Sequence, residues 1–384
     1  MNKLITIFIT LSLLTTSGCS WFGGEDEEKA FQPVPLPEIT KVFSVSPKWR
    51  VQVGEGVGEF YNKLGPVVYN NTVYVADSKG LVKALNPEDG KEIWKTEVAA
   101  ELFGGVAAGG GLVVVGSTEA EIIALDAKTG VEKWRNLVSS EVVSSPAISE
   151  GKVLSRTIDG KLFAMDAATG ERAWLYDRSV PPLTLTGLSS ISVGRGAAVT
   201  GFSNGKVALF IIENGQAVWE KRVATSAGSS ELDRVVDADA TPLIAGEVVY
   251  AVTFKGNIAA YNMRDGEVLW QRELSSYQNM SVSGQLLSVT DARSNIKVLD
   301  RRTGGTLWTQ SALTYRRLTA TAAIGDYLVA GDYEGYLHWF NKNEGFMVSR
   351  NDLGGDGIVA DPVVAGDSLY VYTRDGSLYC FDKP

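Results

Sequence analysis

One short phrase recurs along this 384-residue chain. It reads "ALNPEDGKEIW" ending at Trp94, "ALDAKTGVEKW" at Trp134 and "AMDAATGERAW" at Trp174. It returns as "LFIIENGQAVW" at Trp219, "AYNMRDGEVLW" at Trp270 and "VLDRRTGGTLW" at Trp308. Trp94, Trp134 and Trp174 are spaced 40 residues apart, and the next three tryptophans follow at intervals of 45, 51 and 38. A degenerate copy, "WFNKNEGFMVS", puts Ser349 where a tryptophan is expected, 41 residues after Trp308. A period near 40 restricts the chain to helical repeats or to the blades of a propeller.

The residues between the phrases decide for blades. In "SSPAISEGKVLSRTIDGKLFAMDAATGERAWLYD", from Ser144 to Asp177, short apolar runs are broken at Glu150-Gly151, Asp159-Gly160 and Thr169-Gly170. Runs this short, rich in Val, Ile, Leu and aromatics and punctuated by glycine, read as strands joined by hairpins. No stretch holds the 3.6-residue periodicity of a helix over ten or more positions. Four runs per period make a four-stranded antiparallel blade. The last copy, "ADPVVAGDSLYVYTRDGSLYCFDKP", supplies three strands, and "SPKWRVQVG" around Trp49 supplies the fourth. The chain is therefore expected to be all-β: an eight-bladed propeller over residues 45–384, its last blade closed by the N-terminal strand. Closure leaves only short protected edges.

The phrase has a mechanical reading. Gly130 suits the positive φ of a tight turn, and Asp126 and Thr129 can hydrogen-bond its backbone. Trp49, Trp94, Trp134, Trp174, Trp219, Trp270 and Trp308 then fall on outer strands, where a large flat ring covers the neighbouring blade. Repetition of Asp in the turn slot, at Asp126, Asp166 and Asp300, marks those carboxylates as scaffold rather than chemistry.

Ahead of the repeats, one cation (Lys3) precedes an apolar run from Leu4 to Leu14. The run has the length of a secretory signal and is too short to span a bilayer. It stops at Ser17-Gly18-Cys19. Small residues directly before a cysteine resemble the lipobox of bacterial lipoproteins, with Thr16 where a leucine is usual. The resemblance implies removal of residues 1–18 and acylation of Cys19, each buried methylene of the acyl chains contributing about 0.8 kcal/mol. Ser20 in the next position implies sorting to the outer membrane, on its periplasmic face. Residues 19–44, with an acidic run from Glu25 to Glu28 and spaced prolines at Pro33, Pro35 and Pro37, read as a semi-extended tether.

Net charge is −9, against nucleic acid or broad contact with anionic lipid. Of two cysteines, Cys19 is taken by lipid, so Cys380 is expected to be a buried thiol without a disulfide. His338 is the one histidine, which leaves no His cluster for zinc and no Ser-His-Asp triad. No dense Ca²⁺ loop is visible, and the expectation is no cofactor and no metal.

The phrase resembles the repeat of pyrroloquinoline-quinone-dependent dehydrogenases, and it does so in every blade. Those enzymes carry adjacent cysteines beside the quinone, which this chain lacks. A quinone-dependent periplasmic dehydrogenase is thus the alternative. The stronger resemblance is to the BamB family, lipoprotein propellers of the outer-membrane β-barrel assembly machinery. It covers the lipobox, the tether and all blades, and includes "GLVKALNPEDGKEIW", "LTLTG", "GSSELDRVVDADATP" and "GDYEGYLHWFN". It implies a non-enzymatic scaffold subunit that supports folding and insertion of outer-membrane proteins.

Spacing independently points to one face. The two long intervals, Trp174 to Trp219 and Trp219 to Trp270, are consecutive, and their extra residues follow the tryptophan strand. Outer-to-inner crossovers all lie on one side of a propeller, and enlarged loops on neighbouring blades form one patch. The first insert, "YDRSVPPLTLTGLSS", alternates Leu183 and Leu185; the second, "ATSAGSSELDRVVDADATP", alternates Asp237 and Asp239, with Arg234 nearby. These segments resemble the surface with which the BamB family meets a periplasmic POTRA domain of the barrel-forming subunit. The aliphatic pair would supply a desolvated centre and the carboxylates orientation. Thr186 departs from the family, whose members carry arginine there. Nascent outer-membrane strands are a second expected partner, met by backbone pairing.

Overall fold

Each copy of the phrase spans one turn of a hairpin. The computed structural model, which describes residues 31–58, 64–177, 189–224 and 238–384, shows the chemistry of that turn. Asp126 Oδ1 accepts from Lys128 N, Thr129 N and Thr129 Oγ1 at 3.0, 3.0 and 3.1 Å, and Gly130 N–H donates to Asp126 O at 2.8 Å. A bulge between Ala124 and Leu125 absorbs the extra residue, and Gly130 sits at φ 73°. The turn thus sends the chain straight into the strand that carries Trp134.

Among the described residues every regular element is a strand, and the strands form eight four-stranded antiparallel sheets. In chain order the blades cover residues 67–97, 102–137, 147–176, 192–222, 243–273, 280–310 and 322–352. The eighth joins Val363–Ala365, Ser368–Tyr372 and Ser377–Asp382 to Trp49–Gln52, with Trp49 opposite Cys380. The N-terminal strand therefore closes the ring. Cys380 is fully buried beneath it, and burial pushes its thiol up to about 11.

Period-two alternation makes each blade double-faced. In the fifth blade Val249, Ala251, Ala259 and Tyr261 pack on the fourth, while Tyr250, Val252, Ile258 and Ala260 pack on the sixth. The core is thus a series of interblade seams rather than one central mass.

Tryptophan and glycine lock each seam. Trp94 Nε1 donates to Ala127 O in the second blade's turn at 2.9 Å, and its ring lies so close that a Cβ on Gly130 would stand 2.5 Å from Cε3. The same pairing joins Trp134 to Gly170, Trp174 to Gly215, Trp219 to Gly266, Trp270 to Gly304, Trp308 to Gly345, and, across the closure, Trp49 to Gly90. In all of them the indole N–H bonds a carbonyl of the partner turn at 2.8–3.1 Å.

The seventh blade departs from this, and the topology explains why. Its neighbour, the eighth blade, has no third-to-outer turn, because those strands come from distant parts of the sequence. An indole at position 349 would find no glycine to rest on. The large ring has moved across the ladder instead: Trp339 stands opposite Ser349, where the other blades place Ala, Val, Leu or, in the eighth, Cys opposite the tryptophan. Residues 34–44, assigned to the tether by sequence, lie against this blade. Phe43 meets Trp339 edge-on at 5.7 Å and Tyr327 at 4.8 Å; Ser349 Oγ donates to Phe43 O at 2.9 Å and Asn351 Nδ2 to Val45 O at 2.6 Å. Val42 N–H bonds Val348 O at 2.8 Å, as an added edge strand would.

The two roles of the turn glycine can be separated. Gly130→Ala meets both positive φ and the Trp94 ring, whereas Gly151→Ala, at φ 70° with nothing within 4 Å, meets only the backbone cost. Urea unfolding is expected to show about 1 kcal/mol lost at Gly151 and about 2–4 kcal/mol at Gly130.

Candidate functional site

Outer-to-inner crossovers and the hairpins between second and third strands share one face of the ring. The crossover of the third blade into the fourth occupies residues between Tyr176 and Ser192, and that of the fourth into the fifth the residues between Arg222 and Leu243. Of the expected partner-binding residues, Leu183, Leu185, Thr186, Arg234 and Asp237 lie outside the described residues, as does Cys19. Asp239 is described: it is half-buried between buried Ala238 and Ala240.

What the structure does establish is how both crossovers enter their blades. Ser189, fully buried, donates from Oγ to Ala240 O at 3.3 Å and accepts from Gly201 N at 3.1 Å. Ser190 N–H donates to Thr241 Oγ1 at 3.3 Å, and Ala238 N–H to Phe202 O at 3.4 Å. The ends of the two long crossovers are therefore stitched to one another side by side. Arg156 braces this junction, with Nη1 donating to Ser189 O at 3.4 Å and its guanidinium 5.4 Å from the Phe202 ring centre. On the approach side Tyr176 packs on Phe210 at 4.7 Å, and Asn257 Nδ2 and Gln271 Nε2 both bond Val223 O at 3.2 Å.

The stitching continues around the channel. Ser145 N–H donates to Ser190 Oγ at 3.1 Å, and Thr241 N–H to Asn279 Oδ1 at 2.8 Å. Position 320 is alanine and offers no side-chain acceptor. Asn279 Nδ2 instead reaches Asp361 of the eighth blade at 2.7 Å, and Asp361 also accepts from Ala320 N at 3.0 Å. This hydrogen-bonded arc lines a central cavity of about 360 Å³. The polar groups of the arc are hydroxyl, amide and one carboxylate, engaged with backbone N–H groups and with one another, so the arc fixes the spacing of the inner strands. Sequence reasoning missed it. The signal was a polar residue just ahead of five of the inner strands, in "SSPAIS", "SSISVG", "ATPLIA", "QNMSVS" and "ADPVVA". A third long crossover, between Gln52 and Val67, was also missed, although the interval from Trp49 to Trp94 is 45 residues, the same as from Trp174 to Trp219.

Ser189→Ala removes one donor and strands the buried Gly201 N–H. The expected cost is about 1–3 kcal/mol in urea unfolding, with Ser140→Ala, nearer the surface, within about 0.5 kcal/mol of the parent.

Comparison with known proteins places these features in a family. A family model described as outer membrane protein assembly factor BamB matches residues 78–310 and 292–384. The outer membrane protein assembly factor BamB of Salmonella typhimurium is 38% identical over 383 residues, 97% of each chain. The crystal structure of BamB from Moraxella catarrhalis superposes with a TM-score of 0.80 at 25% identity, covering 88% of this chain and all of that one. A europium-containing methanol dehydrogenase superposes with a TM-score of 0.73 at 14% identity, covering 88% and 93%; that likeness concerns the fold alone.

Proposed function

The chain belongs to the family of outer membrane protein assembly factor BamB, and from that premise we propose that it is a non-enzymatic scaffold subunit of the outer-membrane β-barrel assembly (BAM) complex. In this reading it binds POTRA domains of the barrel-forming subunit and supports folding and insertion of outer-membrane proteins. It is held to the periplasmic face of the outer membrane by acyl chains on Cys19. The partner surface is the crossover face at the third, fourth and fifth blades, with Leu183 and Leu185 at its centre, Asp237, Asp239 and Arg234 orienting the partner, and Thr186 at its edge.

The observation that supports it is the stitching of Ser189 to Ala240 and of Ser190 to Thr241. Two segments distant in sequence leave the ring from one hydrogen-bonded junction, so residues on both can contact one domain together. A rigid base under a binding patch lowers the ordering cost of association. The dehydrogenase alternative rests on the repeated phrase and the fold it builds, and fold does not carry function.

Capture of the barrel-forming subunit tests this. Leu183→Glu, and separately Asp237→Arg with Asp239→Arg, are expected to weaken binding by more than about 30-fold while leaving the thermal midpoint unchanged. Undiminished capture by both folded variants removes this face from the function.

A further inference from the structure

His338 lies in the third strand of the seventh blade, fully buried. Its partners dictate its protonation. Arg350 Nε donates to Nδ1 at 3.2 Å, so Nδ1 carries no proton. Nε2 therefore carries it and donates to Asp332 Oδ2 at 3.0 Å. Arg316 Nε donates to the same carboxylate oxygen at 2.8 Å and pairs also with Glu334. Both arginines then reach outward to the N-terminal strap: Arg316 Nη1 to Val34 O at 3.2 Å and Arg350 Nη2 to Pro37 O at 3.1 Å. The strap gives back Val34 N–H to Thr314 O at 3.1 Å, on the crossover face.

We propose that residues 34–45 form a detachable latch, docked on the seventh blade while His338 is neutral and released when His338 gains a proton. A proton on Nδ1 abolishes the acceptor that Arg350 uses and sets two cations face to face in a buried site. Arg350 must then withdraw, and Pro37 O loses its donor.

The groups around the imidazole fix the sign. Burial is the largest influence and lowers its proton affinity; Asp332 opposes this, and Arg350 and Arg316 reinforce it. Facing it are Asp332 from the hairpin, Arg316 from the crossover and Arg350 from the outer strand, with Tyr336 beside it and Glu334 and Tyr333 beyond Arg316. Of these only the histidine has an ordinary value between pH 5 and 8. The net result is a docked-state value below the ordinary 6.5 or so. Release of the strap frees Arg350 from Pro37 O and opens the site, which brings the imidazole back toward its ordinary value, so the open state takes the proton first: docking is complete above about pH 6.5 and weakens below it. On the lipid-anchored reading above, release adds about 12 residues to the tether, roughly 40 Å of extended chain. The latch itself does not depend on that reading.

The single histidine makes the test direct. Backbone hydrogen exchange at Val34 and Val42 is measured from pH 8 to 5 on the mature chain without added histidines, and the imidazole is followed by NMR in the same samples. Protection, corrected for intrinsic rates, should be flat above about pH 6.5 and fall by up to tenfold per pH unit below it. Amides of Tyr327–Gly331 serve as the unchanged reference. His338→Gln, which cannot titrate, should abolish the dependence, and Arg350→Ala should lower strap protection at every pH. Protection that stays flat to pH 5 in the parent chain overturns the proposal. So does a pH dependence that survives in folded His338→Gln, or an imidazole that titrates at or above 6.5 while the strap stays protected. The NMR and exchange arms on the parent chain decide the matter even if His338→Gln does not fold. Neither readout involves the barrel-forming subunit, so failure here leaves the crossover-face reading standing.

Discussion

An indole resting on a glycine turn is the contact on which the rest of this structure depends. A blade buries one face against each neighbour, so its stability is shared with theirs, and a seam that slips exposes two apolar faces together. The Trp94–Gly130 joint prevents slipping by combining a large apolar contact with one directional bond, Trp94 Nε1 to Ala127 O. Glycine is required on both counts: the turn needs positive φ, and the ring occupies the space a side chain would take. Seven such joints join eight blades, and the eighth seam, between the seventh and eighth blades, is made differently.

That exception follows from closing the ring with a strand from the other end of the sequence. Closure by Trp49–Gln52 removes the turn on which a tryptophan at position 349 would sit. The structure fills the gap with Trp339, Phe43 and the strap. The same strap brings polar backbone to a place where the blade offers Arg316 and Arg350, and their orientation in turn demands Asp332 and His338 behind them. A missing tryptophan, an N-terminal strap and a buried imidazole are thus consequences of one topological choice.

The ring was legible in the sequence because its joints repeat. Period, turn chemistry, tryptophan placement and the closing strand all follow from comparing copies of one phrase. What did not repeat was not legible. Ser349 showed that something differed, but the substitute, Phe43, lies in a proline-spaced stretch that reads as tether and is more than three hundred residues away. The polar arc from Ser145 to Asp361 was visible in principle, yet its slot holds Ser, Thr, Asn and Asp, residues alike in hydrogen-bonding use rather than in shape, and Ala320 interrupts it. The partner surface was inferred from the opposite signal, loss of rhythm around Trp219, and of its named residues Asp239 alone falls among those described.

A scaffold of this kind acts by presenting a surface, so its central claim is a claim about one face. Hydrogen exchange of the chain, free and within the assembled complex, measures that face directly. The account predicts new protection in residues 178–188 and 225–241, with the Asp126–Gly130, Asp166–Gly170 and Asp300–Gly304 turns on the opposite face unchanged. Protection at those turns, with the crossovers exchanging as in the free chain, would contradict it.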